Sequence, residues 1–181
     1  MASGSGHVAG PDPGDVLAEL AGDDIAEVLR RLGATLRALH DTDAEGCPWR
    51  CGPAELVATA AARERSGAVD PTRFDLPYRR YSSAQLLDLA ERSVPEAPTT
   101  PTVIHGAARL RALRIDDGAL VWVDAGACGL GDPYRDLATM AVDLASAIGP
   151  EALAPFLDAY GVDHPDVIRM DWHVLADQLL R

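Results

Sequence analysis

The side chains best suited to do chemistry are concentrated in residues 103–138, VIHGAARLRALRIDDGALVWVDAGACGLGDPYRDLA. His105 has the form of a general base, and Asp116, Asp117, Asp124, Asp132 and Asp136 are carboxylates that could hold a proton or a cation. Two absences limit what such a cluster can do. The chain contains no lysine and no asparagine, so all 16 of its basic residues are arginines. Any mechanism that needs an ammonium or a carboxamide from those residue types is closed to it. Outside this segment, His40, His164 and His173 share no metal-ligand spacing. Cys47 and Cys51 could be half of a zinc site, but the second pair that a closed site needs is missing.

The elements that position these residues can be read from periodicity. Ile25, Val28, Leu29, Leu32, Leu36 and Leu39 recur at helical spacing, which predicts a helix from Asp24 to about His40, with Asp24 and Glu27 as a capping pair. Pro53 opens a second helix with Leu56, Val57, Ala60 and Ala61 on one face, and Ser82 with Gln85 caps a third. After the proline-rich stretch 95–101 the pattern turns extended. Thr102 to Ile104 reads as a strand, and 113–115 and 120–123 as a hairpin turned by Asp116-Asp117-Gly118. Helical signal returns at Pro133 with the stripe Leu137, Met140, Ala141, Leu144 and Ile148. It continues from Leu153 to Tyr160, stopped by Gly161, and from Pro165 to the end. The late stripe is the expected partner of the first helix. Residues 1–14 are rich in Gly, Ser and Pro and are expected to form a flexible leader, with one domain over 15–181.

Composition narrows the partners. A formal net charge of −12 argues against nucleic acid and anionic membrane and is compatible with a cationic small molecule or a merely acidic surface. No apolar run approaches the roughly 20 residues of a membrane span, and no signal-peptide pattern opens the chain. Three cysteines, an odd number, suit reduced thiols in the cytoplasm.

On His105-Gly106, Val123-Asp124-Ala125-Gly126 and Tyr134-Arg135-Asp136-Leu137-Ala138, the chain resembles the aminoglycoside phosphotransferases, which share the protein kinase fold. Their catalytic segment runs His-Gly-Asp, then Asn, a hairpin, Ile-Asp-x-Gly-Arg and Tyr-x-Asp-Leu-Ala. The similarity extends over roughly residues 30–181. It takes in Leu39-His40, Cys47-Pro48-Trp49, Ala62-Arg63, Gly67-Ala68-Val69-Asp70, Phe74-Asp75, Tyr160-Gly161 and Pro165-Asp166, in the order of the 3′-phosphotransferases. The resemblance implies an α+β, mostly helical fold: the carboxy-terminal lobe of a kinase-like phosphotransferase with a small β-hairpin.

The resemblance also shows what has been replaced. The family's catalytic aspartate falls at Ala107, its magnesium-binding asparagine at Ala112 and the arginine closing its second motif at Ala127. Asp124 keeps the place of the principal magnesium ligand, and Asp143 and Asp177 each keep one carboxylate of the family's pocket for the cationic aminoglycoside. The family's amino-terminal lobe, with its strand lysine, is expected to be absent. The family uses Mg2+ and ATP, but this chain is expected to transfer no phosphate. The alternative is a non-catalytic binding module for a cationic small molecule or a partner protein. His105 would pack beneath the loop, Asp136 would hold the loop or cap a helix, and the face left open by the absent lobe could support a homodimer.

Overall fold

The computed structural model describes residues 23–181, so the expected leader and the start of the domain at residue 15 lie outside the described residues. The first apolar stripe forms helix α1, Asp23–His40. Asp24 sits inside its first turn and is not its cap, because the helix is described from one residue earlier. Leu29, Leu32 and Leu36 are buried along one face. Their main partner is helix α5, Leu153–Tyr160, with helix α4, Pro133–Ala147, completing the cluster. The expected pairing with the α4 stripe is thus shared with α5. Gly33 shows why: a Cβ at this position would lie 2.2 Å from the Phe156 carbonyl oxygen, so the two helix backbones touch where no side chain intervenes.

Helix α2, Pro53–Arg65, begins at its proline and buries Leu56 and Ala60. Helix α3, Ser83–Arg92, carries the predicted capping box, with the Ser82 hydroxyl accepting from the Gln85 amide and the Gln85 side chain accepting from the Ser82 amide. Helix α6, Val167–Leu180, is capped by Asp166 and touches α2, α3 and α4. Three apolar clusters result among the described residues. The largest joins α1, α4, α5 and the hairpin, the second gathers Ala60, Val69, Phe74, Leu86, Ala90, Leu175 and Leu179 around α6, and the third joins Leu56 of α2 to Trp172 and Ala176 of α6.

The hairpin pairs β3, Leu113–Asp116, with β4, Ala119–Trp122. Its turn residues Asp117 and Gly118 have φ of 45° and 77°, the left-handed pair that a two-residue loop demands. Strand β2, Thr102–Ile104, also forms as expected, but it belongs to a small sheet that periodicity did not predict. Strand β5, Gly129–Gly131, lies between β1, Arg50–Cys51, which runs parallel to it, and antiparallel β2. The glycines of β5 are steric necessities. A Cβ on Gly131 would lie 2.6 Å from Ile104 Cδ1, and one on Gly129 would lie 2.9 Å from Cys51 Sγ. Among the described residues, no helix is long and apolar enough to cross a membrane.

Candidate functional site

One buried carboxylate fixes the loop that follows β2. Asp136, in the first turn of α4, accepts the backbone N–H groups of His105 at 2.6 Å and Gly106 at 2.8 Å, with Ala108 at 3.4 Å. His40 Nε2–H adds a bond at 3.2 Å, while the Tyr160 hydroxyl donates to His40 Nδ1 at 2.7 Å. The loop needs this anchor because Gly106 takes a φ of 79° and has no repeating ladder to satisfy its neighbours. Burial pushes the Tyr160 hydroxyl up to about 12, so it remains a donor throughout the physiological range. Asp136 therefore holds the loop rather than a ligand.

His105 packs under the loop. Its Nε2–H donates to the Val123 carbonyl at 2.8 Å, and its ring lies 5.1 Å from that of Trp122. It is buried beneath the loop, with Nε2 engaged by the segment that follows the hairpin and Nδ1 withdrawn from solvent. Thr139 closes the arrangement from α4 by donating to the Ala108 carbonyl at 2.8 Å.

The three alanines gather around this loop. The Val123 amide bonds to the Ala112 carbonyl at 2.8 Å, which sets Asp124 beside Ala112. A Cβ on Gly106 would meet the Ala127 carbonyl oxygen at 2.2 Å, so the Ala127 backbone lies directly against the loop carrying Ala107. Asp124 is exposed and left-handed, with φ 59° and ψ 41°, at the start of a short 3-10 turn over Ala125–Ala127. Magnesium demands near-octahedral oxygen ligation. Here Asp124 is exposed, and Ala112 beside it carries only a buried methyl. Among the described residues, no group of three or more His, Cys, Asp and Glu side chains could hold a metal ion.

The remaining carboxylates are engaged elsewhere. Asp143 and Asp177 do come together, but around an internal cation: Arg109 donates to Asp143 at 2.9 Å and to Asp177 at 2.5 Å. Asp143 also accepts the Leu110 amide at 3.0 Å, and Arg181 reaches Asp177 at 2.8 Å. Asp132 caps α4 and is buried against Arg169 at 2.5 Å and His173 at 2.9 Å. Burial opposes its charge, but the His173 hydrogen bond and charge, the Tyr134 amide and Arg169 outweigh that and hold its carboxyl below the ordinary value. Asp116 and Asp117 lie exposed at the hairpin turn. Burial pushes the Cys51 thiol up to about 11, so the free thiol stays protonated at neutral pH.

The feature that sequence reasoning missed is a cavity of about 490 Å³ beside this loop, lined by Ala107, Ala127, Asp177 and five arginines: Arg73, Arg109, Arg111, Arg135 and Arg181. Only the Arg109-x-Arg111 spacing could have hinted at it. The other three arrive from a turn, from α4 and from the end of the chain.

A helical lobe with a hairpin, a buried His-Gly loop and an aspartate-anchored following helix defines the carboxy-terminal lobe of a kinase-like phosphotransferase. Residues 7–172 match the model of the phosphotransferase enzyme family, and the chain belongs to that family. It is similar to aminoglycoside 3′-phosphotransferases of Escherichia coli, at 28% identity over 157 residues, and of Streptomyces fradiae, at 27% over 158. These alignments cover 86% and 83% of this chain but 57% and 59% of the relatives, so the chain spans little more than half their length. Among solved structures, an aminoglycoside-3′-phosphotransferase of type VIII superposes with a TM-score of 0.76 at 27% identity, covering 87% of this chain and 62% of that one. The Streptomyces rimosus aminoglycoside phosphotransferase in complex with ADP and streptomycin shares the fold, with a TM-score of 0.82 at 22% identity over 97% of this chain and 68% of its own.

Proposed function

We propose that this chain is a phosphotransferase-family lobe that does not itself catalyse phosphoryl transfer. The observation that carries this reading is the set of methyl groups around the anchored loop. Ala107, Ala112 and Ala127 stand where the family resemblance puts a general base, a metal ligand and a cation. Phosphoryl transfer is achieved by positioning and charge neutralisation, with little covalent help from the protein. Loss of a general base alone costs about 10²–10⁴-fold. A chain without lysine or asparagine has no side chain of the family's type to restore the electrostatic part. Asp132, Asp116 and Asp117 offer no substitute, being buried in ion pairs or exposed at a distant turn.

The substrate side supports the same reading. Asp143 and Asp177 are neutralised by Arg109, so a cationic aminoglycoside would have to displace a guanidinium already bonded to both. A coupled assay of ADP release, with Mg-ATP and kanamycin supplied to the purified chain, is expected to show no antibiotic-dependent turnover. Turnover that disappears in Asp124→Ala would overturn the proposal.

A further inference from the structure

The cavity beside the anchored loop has a charge opposite to that of the chain around it. The protein carries a formal −12, yet this one recess is lined by five arginines and a single carboxylate, that of Asp177. Two of the arginines are internally balanced. Arg109 lies on Asp143 and Asp177, and Arg181 on Asp177 and Asp75. The side chains of Arg73, Arg111 and Arg135 make no hydrogen bond or ion pair with any described residue. Arg135 is partly withdrawn from solvent in the first turn of α4, while Arg73 and Arg111 are exposed at the rim. The carboxylates set against these five guanidiniums are those of Asp75, Asp143 and Asp177, with Asp136 behind the loop backbone. On the wall between them Ala107 presents a methyl, and the Asp136 carboxylate behind the loop is taken up by the backbone N–H groups of His105, Gly106 and Ala108.

We propose that this cavity binds a small multivalent oxyanion, so that the face on which the family resemblance places a cationic substrate takes a ligand of the opposite sign. Guanidinium groups match phosphate and carboxylate oxygens in paired, charge-assisted hydrogen bonds. Three of them, from the turn at Arg73, the loop at Arg111 and α4 at Arg135, are available without breaking any pair the fold already uses. A volume of about 490 Å³ accommodates a ligand the size of a diphosphate or tricarboxylate head. Phosphate and carboxylate sources share this chemistry, and binding distinguishes them. The proposal does not depend on whether the lobe transfers phosphate.

Isothermal titration of the full chain in magnesium-free buffer, with inorganic pyrophosphate and separately with citrate, tests it. Single-site binding of at least one of them is expected, weakening as salt rises. Binding of pyrophosphate alone identifies a phosphate ligand, and binding of citrate alone a polycarboxylate. Removing one charge-assisted partner in Arg135→Ala or Arg111→Ala should weaken binding by about tenfold or more. Arg73→Ala, on an exposed turn whose loss leaves the core intact, should weaken it as well and serves as the readout if Arg135→Ala fails to fold. No binding of either anion up to about 10 mM overturns the proposal. So does undiminished affinity in the variants that fold, or kanamycin competing with the anion for the cavity.

Discussion

Asp136 does for this lobe what a longer strand would do elsewhere. Its two oxygens satisfy two or three backbone donors of a loop that has no ladder of its own, and His40 and Tyr160 support it from α1 and α5. Asp136→Ala would leave buried N–H groups without acceptors, each costing about 1–3 kcal/mol, and the total loss should reach about 3 kcal/mol or more. Urea denaturation checks this, and a midpoint within error of the parent would show that the loop is held by something else. Asp143 and Asp177 carry the opposite lesson. Their positions as acidic side chains on late helices were legible in the sequence, because helix periodicity and the family spacing both placed them. Their pairing with Arg109 was not, since the contact joins residues 34 and 68 positions apart, and neither spacing nor composition encodes which cation a carboxylate will meet.

At the scale of elements, amphipathic helices were legible because burial imposes a period that a long segment repeats several times. Helices α2, α3, α4 and α5 begin at the residues their proline, capping or stripe signals indicate. Strands β1 and β5 were not legible, being two and three residues long, and glycine-rich β5 has no alternation to read. The hairpin was, because Asp117-Gly118 fits a turn that demands two left-handed residues. Leu36→Ala and Leu137→Ala, both at fully buried positions, should each cost about 2–5 kcal/mol in urea melts. Gly33→Ala distinguishes the α1–α5 contact from general core packing. In an exposed helix this change stabilises by about 1 kcal/mol. Here the added methyl would lie 2.2 Å from the Phe156 carbonyl oxygen, so the sign should reverse, by about 1–3 kcal/mol. A higher midpoint for Gly33→Ala would show that the two helices do not meet at this point.

Among the described residues the largest apolar cluster, around α1, α4 and α5, is separate from the two around α6, and polar bridges run between α4 and α6. Asp132 at the start of α4 holds Arg169 and His173 of α6, and Arg109 ties Asp143 of α4 to Asp177 of α6. Trp122 is packed against the first cluster, and Trp172 is fixed to α3 through its Nε1–H bond to the Ala90 carbonyl at 3.0 Å. Intact bridges should make fluorescence and far-UV circular dichroism report one coincident unfolding transition. Asp132→Ala leaves the buried His173 and the partly buried Arg169 facing each other without a carboxylate, at a cost of about 3 kcal/mol. The two probes should then separate, because the cluster around α1 and those around α6 can open without each other. The same group predicts an acid limb. The folded Asp132 carboxyl titrates below its ordinary 3.8, so its stabilising contribution is complete above that value and is lost as pH falls through the lower folded value. The parent should therefore lose stability below about pH 3.8 more steeply than Asp132→Asn, which has no proton to take up at that site. Parallel acid limbs in the two proteins, or probes that stay coincident in Asp132→Ala, would mean that the clusters are joined by apolar packing and that the bridge is incidental.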